Sequence, residues 1–199
     1  THTVANSSLD RLVQPTDVTV DSYNNLYIAD LGNSRILKVS PGSTSGQIIV
    51  DGLLKNPTSI TIDSNKNLYV SDNSGKVYKL TESESGVWNS EILISGLNNN
   101  LTSLAIDNEG NLYIVESDNH RVLKRDINTG SLLTVAGGNG IGSNLNQLKY
   151  PWGVAVDSEK NIYVTDQGNH RVMKWSPGSN EGILVAGGEG CLDSENCIY

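Results

Sequence analysis

At 199 residues the chain is long enough to bury a substantial core, as one large domain or two small ones. Fourteen basic against 22 acidic residues give a net charge of −8, which on average repels a phosphate backbone and argues against nucleic acid unless one face is locally basic. The longest aliphatic runs, such as "IIV" at 48–50, fall far short of the roughly 20 residues that cross a bilayer as a helix, so no membrane span is expected. No basic-then-apolar leader follows Thr1, and the expectation is a processed product or a fragment.

Twenty glycines, eight tyrosines and no phenylalanine, with abundant Val, Ile, Asn and Ser, suit short strands joined by tight turns. Taken in chain order, four stretches repeat one pattern: "PTDVTVDSYNNLYIAD" from Pro15, "PTSITIDSNKNLYVSD" from Pro57, "LTSLAIDNEGNLYIVE" from Leu101 and "PWGVAVDSEKNIYVTD" from Pro151. An alternating run ends in Asp, three turn residues follow, and then come Asn, an aliphatic residue, Tyr and another aliphatic. The Asp recurs at 21, 63, 107 and 157, at spacings that suit a four-stranded unit. The units are repeat 1 at 15–52, repeat 2 at 57–96, repeat 3 at 101–138 and repeat 4 at 151–188, with 189–199 as a tail or the start of a further unit. Each reads as strands a to d: in the first at 16–20, 26–30, 35–39 and 47–50, in the last at 153–157, 161–165, 171–175 and 183–186. The turn sequence "SPGS" joins c to d at 40–43 and again at 176–179. Essentially no helix is predicted.

Along strand a, positions 18/20, 60/62, 104/106 and 154/156 are Val, Ile or Leu, while 19, 61, 105 and 155 are Thr or Ala. One bulky face and one small face suit sheets that converge on an axis. The fold class expected is therefore all-β, a β-propeller of four-stranded antiparallel blades in a single domain or fragment, rather than a two-layer sandwich.

The stretch "PWGVAVDSEKNIYVTDQGNHRVMKW" (151–175) resembles the NHL repeat, the blade unit of a propeller superfamily. All four units fit, repeat 4 best. Repeat 2 departs most, with Gly75–Lys76 in place of the Asn-x-Arg element, and repeat 3 has Glu116 where the others have Asp. The resemblance implies six blades in a closed propeller, so four visible blades imply an arc completed elsewhere. "TVA" at 3–5 repeats "TVA" at 134–136 and would end a blade whose earlier strands precede the sequence.

Asn and Arg recur in the b–c turns as Asn33/Arg35, Asn119/Arg121 and Asn169/Arg171, whereas His120 and His170 give way to Ser34. Recurrence assigns Asn and Arg to architecture. Asn would tolerate a left-handed turn, and Arg would pair with the acid five positions earlier (30, 116, 166). Asp21, Asp63, Asp107 and Asp157 are expected to close the a–b turns through Asx hydrogen bonds. "DSNKN" at 63–67 begins like a calcium loop but has Leu68 where Gly is needed and Ser74 where Glu is needed. The Lys column (38, 79, 124, 174) reads as a solvated stripe, and the Tyr column (27, 69, 113, 163) as packing between blades.

In an antiparallel meander the b–c turns share a rim with the blade-to-blade linkers. "LLKN" (53–56) and "LNNN" (97–100) are short, while "NGIGSNLNQLKY" (139–150) is long and leads into Pro151 and Trp152; it reads as a spacer or as a binding loop. The expected function is a non-catalytic scaffold in which the b–c and blade-to-blade loops, with His120, Arg121, Tyr150, Trp152, His170 and Arg171, bind a protein, peptide or glycan. No cofactor is expected in that reading.

The resemblance also implies an alternative, a metal-dependent enzyme of the amidating-lyase or lactonase type holding Zn or Ca, with catalytic groups partly outside this sequence. RNA binding, found in some animal relatives, is a second alternative. Cys191 and Cys197 sit close enough for a local disulfide, which together with the "NSS" and "NLT" acceptor patterns at Asn6 and Asn100 points toward an extracellular setting. Unpaired thiols are the competing reading.

Overall fold

A computed structural model describes residues 11–188, which form sixteen strands. Cys191, Cys197, Asn6, residues 3–5 and the tail 189–199 lie outside the described residues. In chain order the strands are β1 (Pro15–Val20), β2 (Leu26–Asp30), β3 (Arg35–Val39), β4 (Gln47–Asp51), β5 (Pro57–Ile62), β6 (Leu68–Asp72), β7 (Lys76–Glu82) and β8 (Trp88–Ile94). They continue with β9 (Leu101–Ile106), β10 (Leu112–Glu116), β11 (Arg121–Arg125), β12 (Leu132–Gly137), β13 (Pro151–Val156), β14 (Ile162–Asp166), β15 (Arg171–Trp175) and β16 (Ile183–Gly187). Each consecutive four make one antiparallel meander sheet, which gives four blades of the β-propeller type. The only helical geometry among the described residues is a single 3-10 turn after strand b in blades 1, 3 and 4. None of it is long and apolar enough to cross a membrane.

Contacts group the chain into two compact units, 1–99 with blades 1 and 2 and 100–199 with blades 3 and 4. Within each unit the pattern of small and bulky residues shows how neighbouring blades meet. In unit 1, Thr19 pairs across to Tyr27, and Tyr27, Ala29, Ile36 and Val50 pack on Ile60, Leu68, Val70 and Tyr78 of blade 2. In unit 2, Ala105 pairs with Tyr113, and Tyr113, Val115, Val122 and Ala136 pack on Ile162, Val164, Met173 and Trp175 of blade 4. A small residue beside each tyrosine lets the next inner strand come close, and β1 contacts β5 as β9 contacts β13. Within each unit the first blade thus presents a tyrosine face and the second meets it with an aliphatic face.

Polar latches reinforce both junctions. Thr16 Oγ1 donates to the Pro57 carbonyl at 3.0 Å, and Asp17 Oδ2 accepts from Ser59 Oγ at 2.6 Å and from the Ile60 amide at 2.9 Å. Thr102 Oγ1 donates to the Trp152 carbonyl at 2.7 Å, and the Val154 amide donates to Ser103 Oγ at 3.3 Å.

The a–b turns are built four times on one plan. Oδ1 of Asp21, Asp63, Asp107 and Asp157 accepts the amides two and four residues on, and Oδ2 accepts the Asn side chain at i+4 and the Tyr hydroxyl at i+6. Burial opposes ionisation of Asp107, but its hydrogen bonds from Asn111, the Glu109 amide and Tyr113 outweigh that and hold its pKa below the ordinary carboxylate value. Each carboxylate is filled by donors of its own turn.

The Lys column departs from the expected solvated stripe. Lys38, Lys124 and Lys174 lie 5.7, 5.7 and 5.6 Å from the ring centroids of Tyr27, Tyr113 and Tyr163, directly across the b–c register. The ammonium follows the tyrosine because cross-strand partners share a face, and the ring's negative quadrupole favours a cation above it.

Candidate functional site

The b–c corners begin with a buried acid at the end of strand b: Asp30, Asp72, Glu116 and Asp166 are all at most 1% exposed. In blade 4, Asp166 Oδ2 accepts Arg171 Nε at 2.7 Å and Asn169 Nδ2 at 2.8 Å, while Oδ1 accepts the Lys149 amide of the preceding linker at 2.7 Å. Asp30 repeats the arrangement with Arg35, Asn33 and the Val13 amide, each at 2.7 Å. Burial alone would raise the Asp30 pKa, yet those three donors hold it below the usual value. Glu116 takes Arg121 at 2.6 Å and Asn119 at 3.2 Å. Blade 2 substitutes Ser74, whose amide and hydroxyl both reach Asp72 Oδ1, and retains the linker contact from the Lys55 amide.

The left-handed residue of these corners is not the Asn. It falls one position later, on Ser34, His120 and His170 (φ 54°, 52° and 52°), and on Gly75 (φ 70°) in blade 2. The Asn side chain is committed to the acid instead. His and Ser bear the left-handed backbone, and His is among the residues that tolerate it best after Gly, Asn and Asp.

Loop 139–150 is fastened rather than loose. Arg171 extends past Asp166 so that Nη1 donates to the Ser143 carbonyl at 2.6 Å and Nη2 to those of Asn144 and Gln147 at 3.1 and 3.0 Å. Asn169 also donates to the Gly142 carbonyl, Gln147 Nε2 donates to the Asn139 carbonyl while Asn139 Nδ2 donates to that of Asn146, and Leu148 is fully buried. The Arg171 side chain is 8% exposed and its donors are occupied. Sequence reasoning paired Arg171 with Asp166 but missed the loop carbonyls, since nothing in "NGIGSNLNQLKY" marks which of them turn inward.

This framework holds several groups at the surface. Tyr150 stands in a left-handed conformation (φ 47°); its amide donates to His120 Nδ1 at 3.2 Å, and its ring meets the His120 ring edge-on with centroids 4.8 Å apart. Tyr150 and Trp152 remain 46% and 55% exposed, as do Ile141 and Leu145 of the same loop at 50% and 47%. His170 is exposed at the corner below. Arg121, 34% exposed, retains partial access while paired to Glu116. A groove of about 710 Å³ lies alongside, between β12 and the turn after β15, walled by Leu133, Lys124 and Glu181, with Asn139 and Asn146 of the loop at its edge. Among the described residues no group of three or more His, Cys, Asp or Glu side chains is placed to hold a metal ion. At the starts of the inner strands, Asp17, Ser59 and Ser103 are engaged in the latches between blades.

Residues 12–39 and 148–175 match the NHL repeat. No curated protein matches the chain. Among solved structures, a virginiamycin B lyase from Staphylococcus aureus with quinupristin is 14% identical, with a TM-score of 0.63 over 86% of this chain and 54% of that one. An auxiliary nutrient binding protein from Bacteroides thetaiotaomicron is 17% identical, with a TM-score of 0.71 over 89% of this chain and 48% of that one. A chain of a nidogen/laminin complex is 16% identical, with a TM-score of 0.57 over 85% and 78%. These likenesses share the fold, and this chain spans about half the length of the lyase and the nutrient binding protein.

Proposed function

We propose that this chain, which carries NHL repeats and folds as β-propeller blades, is a non-catalytic binding scaffold whose ligand is a protein segment or peptide held at the rim formed by loop 139–150. One observation carries this reading: a twelve-residue linker is pinned by a buried arginine while Tyr150, Trp152, Ile141 and Leu145 are left in water. Ordering exposed apolar side chains before the ligand arrives lowers the entropic cost of association. Aromatic groups on a rigid support are the usual energetic centres of protein interfaces. The adjoining groove offers an extended segment a path off the rim. The nutrient binding protein and the nidogen/laminin complex are similar folds whose names describe binding, which supports the reading without naming a ligand for this chain.

The test is selection of a displayed random peptide library on the purified chain, followed by titration of the winners against a Tyr150→Ala/Trp152→Ala double variant of unchanged circular dichroism. Selected peptides are expected to lose at least about tenfold in affinity on the variant. Peptides that bind both proteins equally would overturn the assignment, and a parallel glycan array reports whether sugars are the ligand instead.

A further inference from the structure

The two units differ in how the tyrosine face of the first blade is finished toward its outer strand. In unit 1 the β7–β8 ladder runs three pairs past Lys79 and Glu91, ending on Glu82 opposite Trp88. That extension lays two side chains over blade 1. The Trp88 ring meets Tyr27 edge-on with centroids 5.9 Å apart, and Glu82 takes Lys38 Nζ at 3.2 Å. The same ammonium lies 5.7 and 5.8 Å from the Tyr27 and Trp88 ring centroids. Trp88 Nε1 has no hydrogen-bond acceptor among the described residues, so the position selects a ring and not its N–H.

Unit 2 repeats the lysine over the tyrosine, with Lys124 5.7 Å from the Tyr113 centroid, but carries neither occupant. The β15–β16 ladder stops at Lys174 and Ile183, the pair that corresponds to Lys79 and Glu91, and "SPGSNEG" turns the chain back at 176–182. Trp175 is no counterpart of Trp88: it lies opposite Ile162 as Leu80 lies opposite Leu68, and is buried in the core. Val135 and Ala136 stand where unit 1 has Ile49 and Val50, so the wall is also thinner. The outcome is the groove of about 710 Å³, within the size range of ligand sites. Its floor, Tyr113 and Trp175, is closed, and its open wall is Leu133, 60% exposed and paired across strands with Lys124. Among the described residues Lys124 makes no ion pair, whereas Lys160 on the other side is taken by Glu109.

We propose that this groove binds an extended peptide segment of a partner protein that carries an aromatic side chain two positions from a carboxylate. The ring packs against Lys124 and Leu133, and the carboxylate pairs with Lys124 Nζ. Unit 1 supplies the template: Glu82 and Trp88 are cross-strand neighbours on one face, and residues i and i+2 of an extended segment likewise share a face, about 7 Å apart. Leu133 replaces Gln47 of unit 1, which makes this wall the better surface for a ring. The proposal rests on the reading of the chain as a peptide-binding scaffold, and adds which side chains the partner must bring and where they sit.

An NMR titration of the isotopically labelled chain with the acetylated, amidated tetrapeptide Glu-Thr-Trp-Thr tests this. Saturable shifts are expected at Lys124, Leu133 and Ser179, with a Kd of about 1 mM or tighter. Gln in place of the peptide's Glu should weaken binding about threefold, as suits a partly exposed ion pair, and Ala in place of its Trp should abolish saturation. The Lys124→Gln variant should bind the Glu and Gln peptides equally, which a merely structural role for the lysine would not produce. The Tyr150→Ala/Trp152→Ala variant should bind the tetrapeptide as the unmodified chain does, because neither residue lines the groove. The proposal is overturned by the absence of saturable shifts in the groove, by equal affinity for the Glu and Gln peptides, or by loss of binding on the rim variant. Tighter binding of free indole-3-propionate than of the tetrapeptide would also overturn it, in favour of a small aromatic acid. In each case library peptides that depend on Tyr150 and Trp152 would leave the scaffold reading standing.

Discussion

The b–c corners of blades 2 and 4 solve one problem with different chemistry. In both, a buried aspartate ends strand b, accepts a linker amide and precedes a left-handed residue. Blade 2 follows the four-residue linker 53–56 and sets Ser74 on Asp72 in place of the Asn and Arg of the other corners. Blade 4 follows the twelve-residue linker 139–150 and uses Asn169 and Arg171, whose outer nitrogens gather the loop carbonyls. Blade 3 separates the variables: its linker is short but it keeps the arginine, and Arg121 is 34% exposed where Arg35 and Arg171 are 7% and 8%. The acid is present at every corner, and the arginine is deeply buried where it also holds carbonyls of the preceding chain, Arg11 for Arg35 and Ser143, Asn144 and Gln147 for Arg171.

If so, the arginines should differ in what they contribute. Arg171→Ala strands a buried carboxylate and releases three carbonyls, and should cost about 3 kcal/mol in a denaturant titration. Hydrogen exchange should accelerate across 139–150. Arg121→Ala also leaves a buried carboxylate, Glu116, but opens it to water along a partly exposed side chain and releases no loop carbonyl, so it should cost less, about 2 kcal/mol. Equal losses would break the link between the carbonyls an arginine holds and what it contributes.

A smaller effect sharpens the comparison from the blade 2 side. Gly75 combines φ 70° with an approach so close that an added Cβ would collide with the Leu97 carbonyl oxygen. Gly75→Ser should therefore cost about 2 kcal/mol in thermal melts, although Ser34 occupies the equivalent position of blade 1 at φ 54° without difficulty. A neutral Gly75→Ser would mean that the backbone at Leu97 moves aside readily.

The fold was legible because its determinants are local and repeated. The alternation at Val18/Val20 and Ile60/Ile62 marks a face, and the Asp–Asn–Tyr spacing of each a–b turn encodes a complete set of hydrogen bonds. The rim was legible only in part. That Arg171 pairs with Asp166 follows from antiparallel register, whereas its bonds to Ser143, Asn144 and Gln147 depend on the path of a loop with no repeat elsewhere in the chain. The left-handed position was misplaced onto Asn because Asn tolerates that conformation, while its side chain was already required by the acid. The lysine stripe was misread because outer-strand position suggests solvent, and only the register shows the tyrosine beneath.

The smallest effect falls on the two histidines, which look identical in sequence. Both sit at φ 52°, and Ser34 shows that the backbone accepts serine there, so neither substitution strains the turn. His170 is exposed at its corner, and His170→Ser should change stability by less than about 0.5 kcal/mol. His120 accepts the Tyr150 amide and meets the Tyr150 ring. His120→Ser should therefore cost about 1 kcal/mol and speed exchange of the Tyr150 amide, with the rest of the loop still held by Arg171. Paired urea titrations of the two variants read the difference directly. Indistinguishable variants would mean that Tyr150 is held by its linker alone, and that His120 shares the corner without anchoring the rim.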